Sequence, residues 1–157
     1  HARLEDEQYD VIYSSYVLDH IRDAEIVHAN FARWVKPGGM IILRFPNRDS
    51  VYGSLTRMSP FWFHVQYKRL LRGHKNAGRP GYGPYPTFHD AVIARKSFRQ
   101  YANKNGLCIE EEYGYGRLPV VLRVFTKFIA LLSLGTLRAD HVNLLYVLRK
   151  RGEEPAM

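Results

Sequence analysis

The sequence predicts an α/β fold built on a mostly parallel sheet. Three observations carry that expectation. A β-rich run at Tyr9–Ser15, an amphipathic stretch and a second apolar run at Met40–Phe45 form one strand–helix–strand unit in about 35 residues. The second run has no polar alternation, the pattern of a strand buried on both faces of a parallel sheet with helices on each side. Helical and strand patterns then alternate to the C-terminal end, as in α/β domains.

Each element has its own local reason. Tyr9-Asp10-Val11-Ile12-Tyr13-Ser14-Ser15 is rich in β-branched and aromatic residues and closes on small polar ones. Asp23 is placed to cap a helix whose apolar positions Ile26, Val27, Phe31 and Trp34 share a face. Lys36-Pro37-Gly38-Gly39 ends that helix, because glycine accepts the left-handed conformation and proline cannot continue the turn. Residues 46–90 then break the rhythm with Pro46, Pro60, Pro80, Pro84 and Pro86 and with Gly73, Gly78, Gly81 and Gly83. A connection this long reads as a lid or binding insertion, with a short helix near Phe61–Leu71. Residues 91–105 suit a helix carrying Val92, Phe98 and Ala102 and ended by Gly106, followed by a strand at Leu107–Tyr113. Residues 119–138 suit another helix, and Asn143–Leu148 a last strand.

Composition bounds the function. The 157 residues are 46% hydrophobic and 24% charged, which excludes a disordered tail, a collagen and a coiled coil. The lone Cys108 excludes an internal disulfide framework and a cysteine-based zinc site, and gives no reason to leave a reducing, cytoplasmic compartment. No stretch is apolar and long enough to span a bilayer as a helix. The net charge of +8 is uneven: residues 1–30 hold seven acids against Arg3 and Arg22, so the remainder carries +13. Within 48–79, Arg48, Arg57, Lys68, Arg69, Arg72, Lys75 and Arg79 are opposed only by Asp49. Such a stretch is either a solvated basic face or an attractor of anions. The chain opens on His1 a few residues before a buried-looking strand, so it is expected to be part of a longer one.

Two segments taken together suggest a family. Asp10-Val11-Ile12-Tyr13-Ser14-Ser15-Tyr16-Val17-Leu18-Asp19-His20-Ile21, followed by Trp34-Val35-Lys36-Pro37-Gly38-Gly39-Met40-Ile41-Ile42, resembles the second half of a class I S-adenosylmethionine-dependent methyltransferase of the small-molecule branch (methyltransferase type 11-like). Gly106-Leu107 with Ile109-Glu110-Glu111 is similar to the family's next helix–glycine–strand element. The resemblance implies a Rossmann-like, doubly wound sheet whose strands here are the family's fourth to seventh, the last antiparallel, with its N-terminal half incomplete. On this reading 1–157 is the carboxyl-terminal part of one domain, with an aromatic and basic insertion at 48–90 and an amphipathic helical insertion at 117–140. The family's glycine-rich loop and ribose-holding acid have no counterpart in this sequence. The implied reaction moves a methyl group from the cofactor S-adenosylmethionine to a small or lipid-linked acceptor, and the fragment alone is expected to be inactive.

Site residues follow from position. Ligands of doubly wound sheets sit beyond the carboxyl ends of the strands. The resemblance puts Ser14, Ser15 and Tyr16 there as cofactor-binding; read alone they are a polar strand end. His20 is the candidate catalytic group, able to take a proton near neutral pH, or else a residue bonded to the next helix. Asn47 and Arg48 end the second strand at the same edge and are candidates for substrate binding, Arg48 as a grip for a carboxylate or phosphate. In the insertion Tyr67, Tyr82 and Tyr85 are candidates for contacting the acceptor. His64, His74 and His89 lack metal-ligand spacing, so no metal is expected. Basic and aromatic residues also alternate in single-strand nucleic-acid binders, but no nucleic-acid motif accompanies them, and a non-catalytic basic module for nucleic acid or an anionic membrane is the rival reading. Over 119–138, Arg123, Lys127 and Arg138 form one stripe opposite Val121, Val124, Phe125, Phe128, Ile129 and Leu132. That fits either an interfacial membrane helix or a helix packed on the sheet.

Overall fold

The computed structural model describes residues 4–152 except 71, 89, 117–119, 135, 138 and 140, and the side chains of 120–122. Its sheet has four strands in the order β1-β2-β4-β3: β1 Tyr9–Ser15, β2 Val35–Pro46, β3 Leu107–Tyr115 and β4 Asn143–Lys150. Strands β1 and β2 pair in parallel; β4 lies antiparallel between β2 and β3. Among the described residues five α-helices connect them: α1 Ala24–Trp34, α2 Val51–Met58, α3 Phe61–Leu70, α4 Arg95–Lys104 and α5 Val120–Leu132. The mostly parallel sheet, its antiparallel last strand and the α/β class follow the sequence reading.

One face of the sheet is dry. Ile41, Leu43 and Phe45 of β2 meet Leu144, Tyr146 and Leu148 of β4 there, beneath Ala24 and Ala32 of α1 and Phe98 and Ala102 of α4. The Phe98 and Tyr146 rings meet 4.4 Å apart at its centre, tilted by 43°, with Phe45 stacked on Tyr146 at 5.6 Å. Arg95 and Arg99 of α4 both reach Glu112 of β3, at 2.7 and 2.8 Å, and fasten that helix to the sheet edge.

The opposite face corrects an expectation. Burial along β2 alternates instead of covering both faces, because α1 and α4 pack on the same side. Val11 and Tyr13 are 55% and 59% exposed, and Met40, Ile42, Leu145 and Val147 are only half-buried beside them. Strand β1 is also the sheet's edge, so this layer is open on one face and one side.

Several local details differ from the sequence reading. Asp23 makes no side-chain cap on α1; Asp90 does so from across the fold, accepting a bond from the Ala24 N–H at 3.2 Å. The other oxygen of Asp90 accepts from Val92 N–H and closes a 3₁₀ turn over Ala91–Ile93, so the helix expected over 91–105 is split and α4 starts only at Arg95. On α1, Ile26 points to solvent, while His28, which the sequence reading did not single out, is buried against Phe31, Phe98 and Tyr101. Gly38 has the expected left-handed conformation, at φ +75°, but not as a helix stop: α1 ends at Trp34, and Lys36-Pro37-Gly38-Gly39 lies inside β2. Helix α2 lies where no element was expected, started by Ser50 accepting from Gly53 N–H at 2.9 Å. Helix α5 is shorter than the stretch 119–138. Leu71, His89, residues 117–119, Arg138 and the Val121 side chain, all singled out by the sequence reading, lie outside the described residues.

Candidate functional site

The carboxyl end of β1 is where the site residues gather. Ser14 points into the dry face and is buried, whereas Ser15 alternates to the open face and stands in register with Arg44 of β2. Tyr16 leaves the strand with φ +53°, a conformation costly for a residue with a β-carbon, and its N–H donates to the Arg44 carbonyl at 2.8 Å. Its hydroxyl lies 2.7 Å from that of Tyr115. Arg44 donates from Nε to Tyr115 Oη at 3.1 Å and from Nη1 to Tyr13 Oη at 3.4 Å, and its guanidinium sits over the Tyr16 and Tyr115 rings. Burial and the Tyr115 hydroxyl push the Tyr16 phenol up to about 12, while the Tyr13 and Tyr115 hydroxyls raise Arg44 further above its ordinary value. Tyr16 is therefore neutral and Arg44 charged at every physiological pH. Sequence reasoning missed this cluster; the available signal was the one arginine inside the apolar run Met40–Phe45.

Beyond Tyr16 the chain makes a 3₁₀ turn over Leu18–His20, anchored by fully buried Leu18. His20 Nδ1 lies 2.8 Å from the Pro86 carbonyl. A carbonyl only accepts, so Nδ1 carries the hydrogen and the neutral ring presents its lone pair at Nε2. That nitrogen is 3.5 Å from Asp19 Oδ2. The Tyr85 ring meets the imidazole edge-on at 6.1 Å, and the Phe88 N–H donates to the Asp19 carbonyl at 2.8 Å. The far end of the insertion thus folds back onto His20 and brings Tyr85 to it. Asp19 is almost fully buried, and its Oδ1 has no hydrogen-bond partner among the described residues. A buried acceptor of this kind suits a ligand that brings an N–H or O–H.

The end of β2 divides its two candidates. Asn47 is completely buried: Nδ2 donates to the His141 carbonyl at 3.0 Å and Oδ1 accepts from Asp49 N–H at 3.2 Å. Its carbonyl accepts from Ser50 Oγ, and a β-carbon on Gly53 would stand 2.4 Å from that same oxygen, so only glycine lets α2 start this close. Asn47 joins the start of α2 to the approach to β4, with one hydrogen bond at each of its amide atoms. Arg48 is half-buried with Nε shielded from water and no partner among the described residues, a donor still free for an anion.

The three insertion tyrosines occupy different places. Tyr85 is at His20. Tyr82 lines an open basic hollow with Lys68, His74 and Lys75. Tyr67 lines an apolar cavity of about 360 Å³ between α2, α3 and α5, together with Tyr52, Leu55, Phe63, His64 and Phe125. His64 Nε2 is bonded within that wall, 3.0 Å from Ser59 Oγ and 3.1 Å from the Thr56 carbonyl. Among the described residues no three histidine, cysteine or acidic side chains converge as a metal site.

Residues 1–112 match the model of a family described as "Methyltransferase domain". No functionally curated protein matches the sequence. Among solved structures, the chain is similar to an S-adenosylmethionine-dependent methyltransferase from Mesorhizobium loti, at 14% identity and a TM-score of 0.53, over 96% of this chain and 65% of that one. It is likewise similar to a SAM-dependent methyltransferase from Methanosarcina mazei, at 13% identity and a TM-score of 0.56, over 98% of this chain and 64% of that one. At such identities the likeness establishes a shared Rossmann-like fold. The chain spans less than two thirds of the length of either protein.

Proposed function

The chain belongs to the methyltransferase-domain family, and from that premise we propose that it forms one wall of an S-adenosylmethionine site and the acceptor side of a methyl transfer to a small or lipid-linked molecule. The observation that carries the reading is the joint at the carboxyl end of β1. There Ser15 and Tyr16, the Asp19–His20 turn and the returning Tyr85 meet at the edge where doubly wound sheets bind ligands. Ser14, Ser15 and Tyr16 would border the cofactor, and the unmatched Asp19 Oδ1 offers an acceptor to its amino group or to an acceptor hydroxyl. When bound, the cofactor supplies an electrophilic methyl group on a sulfonium.

The rest belongs to the chain's own residues. His20 holds at Nε2 the proton that an acceptor hydroxyl or amine releases, with the Asp19 carboxylate facing the nitrogen that becomes charged. The Pro86 carbonyl fixes the tautomer and Tyr85 the ring plane. Asn47 acts by positioning, Arg48 by offering Nε to an anionic part of the acceptor, and the cavity bearing Tyr67 receives its apolar part. Tyr82, in the basic hollow, serves anionic substituents further out.

The same reading makes this chain the carboxyl-terminal part of a larger domain. Its support is the open edge of β1, the open face bearing Val11 and Tyr13, and the share of the similar structures that the chain spans. A ligand gripped from one wall only forfeits the hydrogen bonds of the other, on the order of 3–6 kcal/mol for two bonds to a charged group, a hundredfold or more in affinity. Equilibrium dialysis of the 157-residue chain against labelled S-adenosylmethionine is expected to show no saturable micromolar binding, whereas a longer parent chain binds. Micromolar binding by the chain alone overturns the one-wall assignment, and a parent that fails to bind overturns the cofactor.

A further inference from the structure

Helix α5 is turned the wrong way for a packed helix. Successive side chains advance by 100°, so Val124, Phe128, Leu131 and Leu132 share a face opposite Thr126, Ala130 and Ser133. A helix lying on a soluble core turns its apolar stripe inward. Here Thr126 is the buried residue and Ala130 and Ser133 are half-buried, while Phe128, Leu131 and Leu132 are 58%, 75% and 65% exposed. Of the two readings the sequence left open, packing by the apolar face is therefore the one the structure disfavours. The inward side is small and polar enough to sit against α2, and the outward side is left without a partner among the described residues.

Charge restricts what can cover it. Residues 113–139 contain Arg117, Arg123, Lys127 and Arg138 and no acid; residues 50–89 contain six basic residues and no acid. Lys127 is exposed on the flank of the apolar face. A second copy of this chain would set like charge against like across the contact. Further strands of the same domain would pair through their backbone at the β1 edge, whereas α5 packs on α2 and has its backbone bonded within the helix. A helix of thirteen residues is about 20 Å long, too short to cross a bilayer but suited to lie on one. We infer that the outward face of α5 docks on an anionic lipid bilayer, with Val124, Phe128, Leu131 and Leu132 entering the headgroup boundary and Lys127 meeting lipid charge. Phe125 belongs both to this helix and to the cavity bearing Tyr67, so that cavity opens beside the docked surface. Docking itself does not depend on methyl transfer.

Vesicle flotation of the full chain tests it, since floating separates vesicle-bound protein from aggregate. The chain is expected to float with phosphatidylcholine vesicles containing phosphatidylglycerol, less with phosphatidylcholine alone, and less as salt is raised. The Phe128→Glu, Leu132→Glu double variant, checked for folding by circular dichroism, should lose binding at least about tenfold. Lys127→Glu should weaken binding to the anionic vesicles alone, and Ile26→Glu, at an exposed apolar position on α1, should change nothing. The inference is overturned if the wild-type chain ignores anionic vesicles at low salt, or if the folded double variant binds undiminished. It is equally overturned if sedimentation shows a dimer that Phe128→Glu dissolves while vesicles go unbound, which assigns the face to a second copy.

Discussion

His28 makes the fold sensitive to acid. The ring is 2% exposed, 5.3 Å from Phe98 and 5.4 Å from Tyr101, and its Nε2 is buried without a hydrogen-bond partner among the described residues. Burial of the charged form pushes its pKa down to about 4 from an ordinary 6.5, with the Asp90 carboxylate opposing part of the shift. The unfolded chain takes up this proton below about pH 6.5 and the folded chain only near 4, so stability is full above 6.5 and falls as pH drops through that window. At about 1.4 kcal/mol per pH unit, the loss on reaching the folded value is about 3 kcal/mol, a large part of a small domain's total. Urea unfolding at a series of pH values, for the wild-type chain and for His28→Leu, isolates the effect because other titrations are common to both. Wild type should lose about 3 kcal/mol relative to the variant between about pH 7 and 4, and the variant should match or exceed wild type in acid. Parallel curves for the two proteins would show that His28 is not held neutral in the core.

Three further outcomes are expected. Asp90→Ala removes the carboxylate that caps both Ala24 and Val92 N–H groups and should cost about 1–2 kcal/mol in urea unfolding; a loss within error removes the bridge from the fold's supports. In a longer parent, Ser15→Trp should weaken S-adenosylmethionine binding at least about tenfold in calorimetric titration with the fold intact, and unchanged affinity misplaces the cofactor wall. In the same parent, His20→Asn keeps a side chain for Pro86 but cannot hold the proton, and should lower kcat about a hundredfold with little change in KM. A change confined to KM makes His20 a positioning residue.

What the sequence could reveal depended on how local the cause was. Strands β1, β2 and β4 and helix α1 announced themselves because one short run of residues contains the whole pattern, a β-rich or apolar run or an apolar helix face. The Asp90 cap was hidden because its partner, Ala24, is 66 residues away. Helix α2 was hidden because Tyr52-Gly53-Ser54 has no apolar stripe; its stability comes from Ser50 and from a glycine needed to clear the Asn47 carbonyl. At the candidate site, no local pattern showed that Pro86 and Tyr85 would return to His20 or that the Asn47 amide would bond both His141 and Asp49. Periodicity found the amphipathic helix α5 without telling which way it faces, because a helical wheel fixes relative angles and only packing fixes the absolute one.

The two open apolar surfaces therefore have different physical meanings. On β1 and β2, Val11, Tyr13, Met40 and Ile42 lie on a strand layer whose edge still has unpaired backbone N–H and C=O groups. Backbone groups of that kind are met by another strand, which lipid cannot supply, and an exposed strand edge favours aggregation. On α5 the backbone is satisfied within the helix, and only side chains seek cover. A bilayer interface can provide that cover and a basic flank favours it, so exposed apolar side chains pose a backbone-pairing problem on β1 and only a side-chain one on α5.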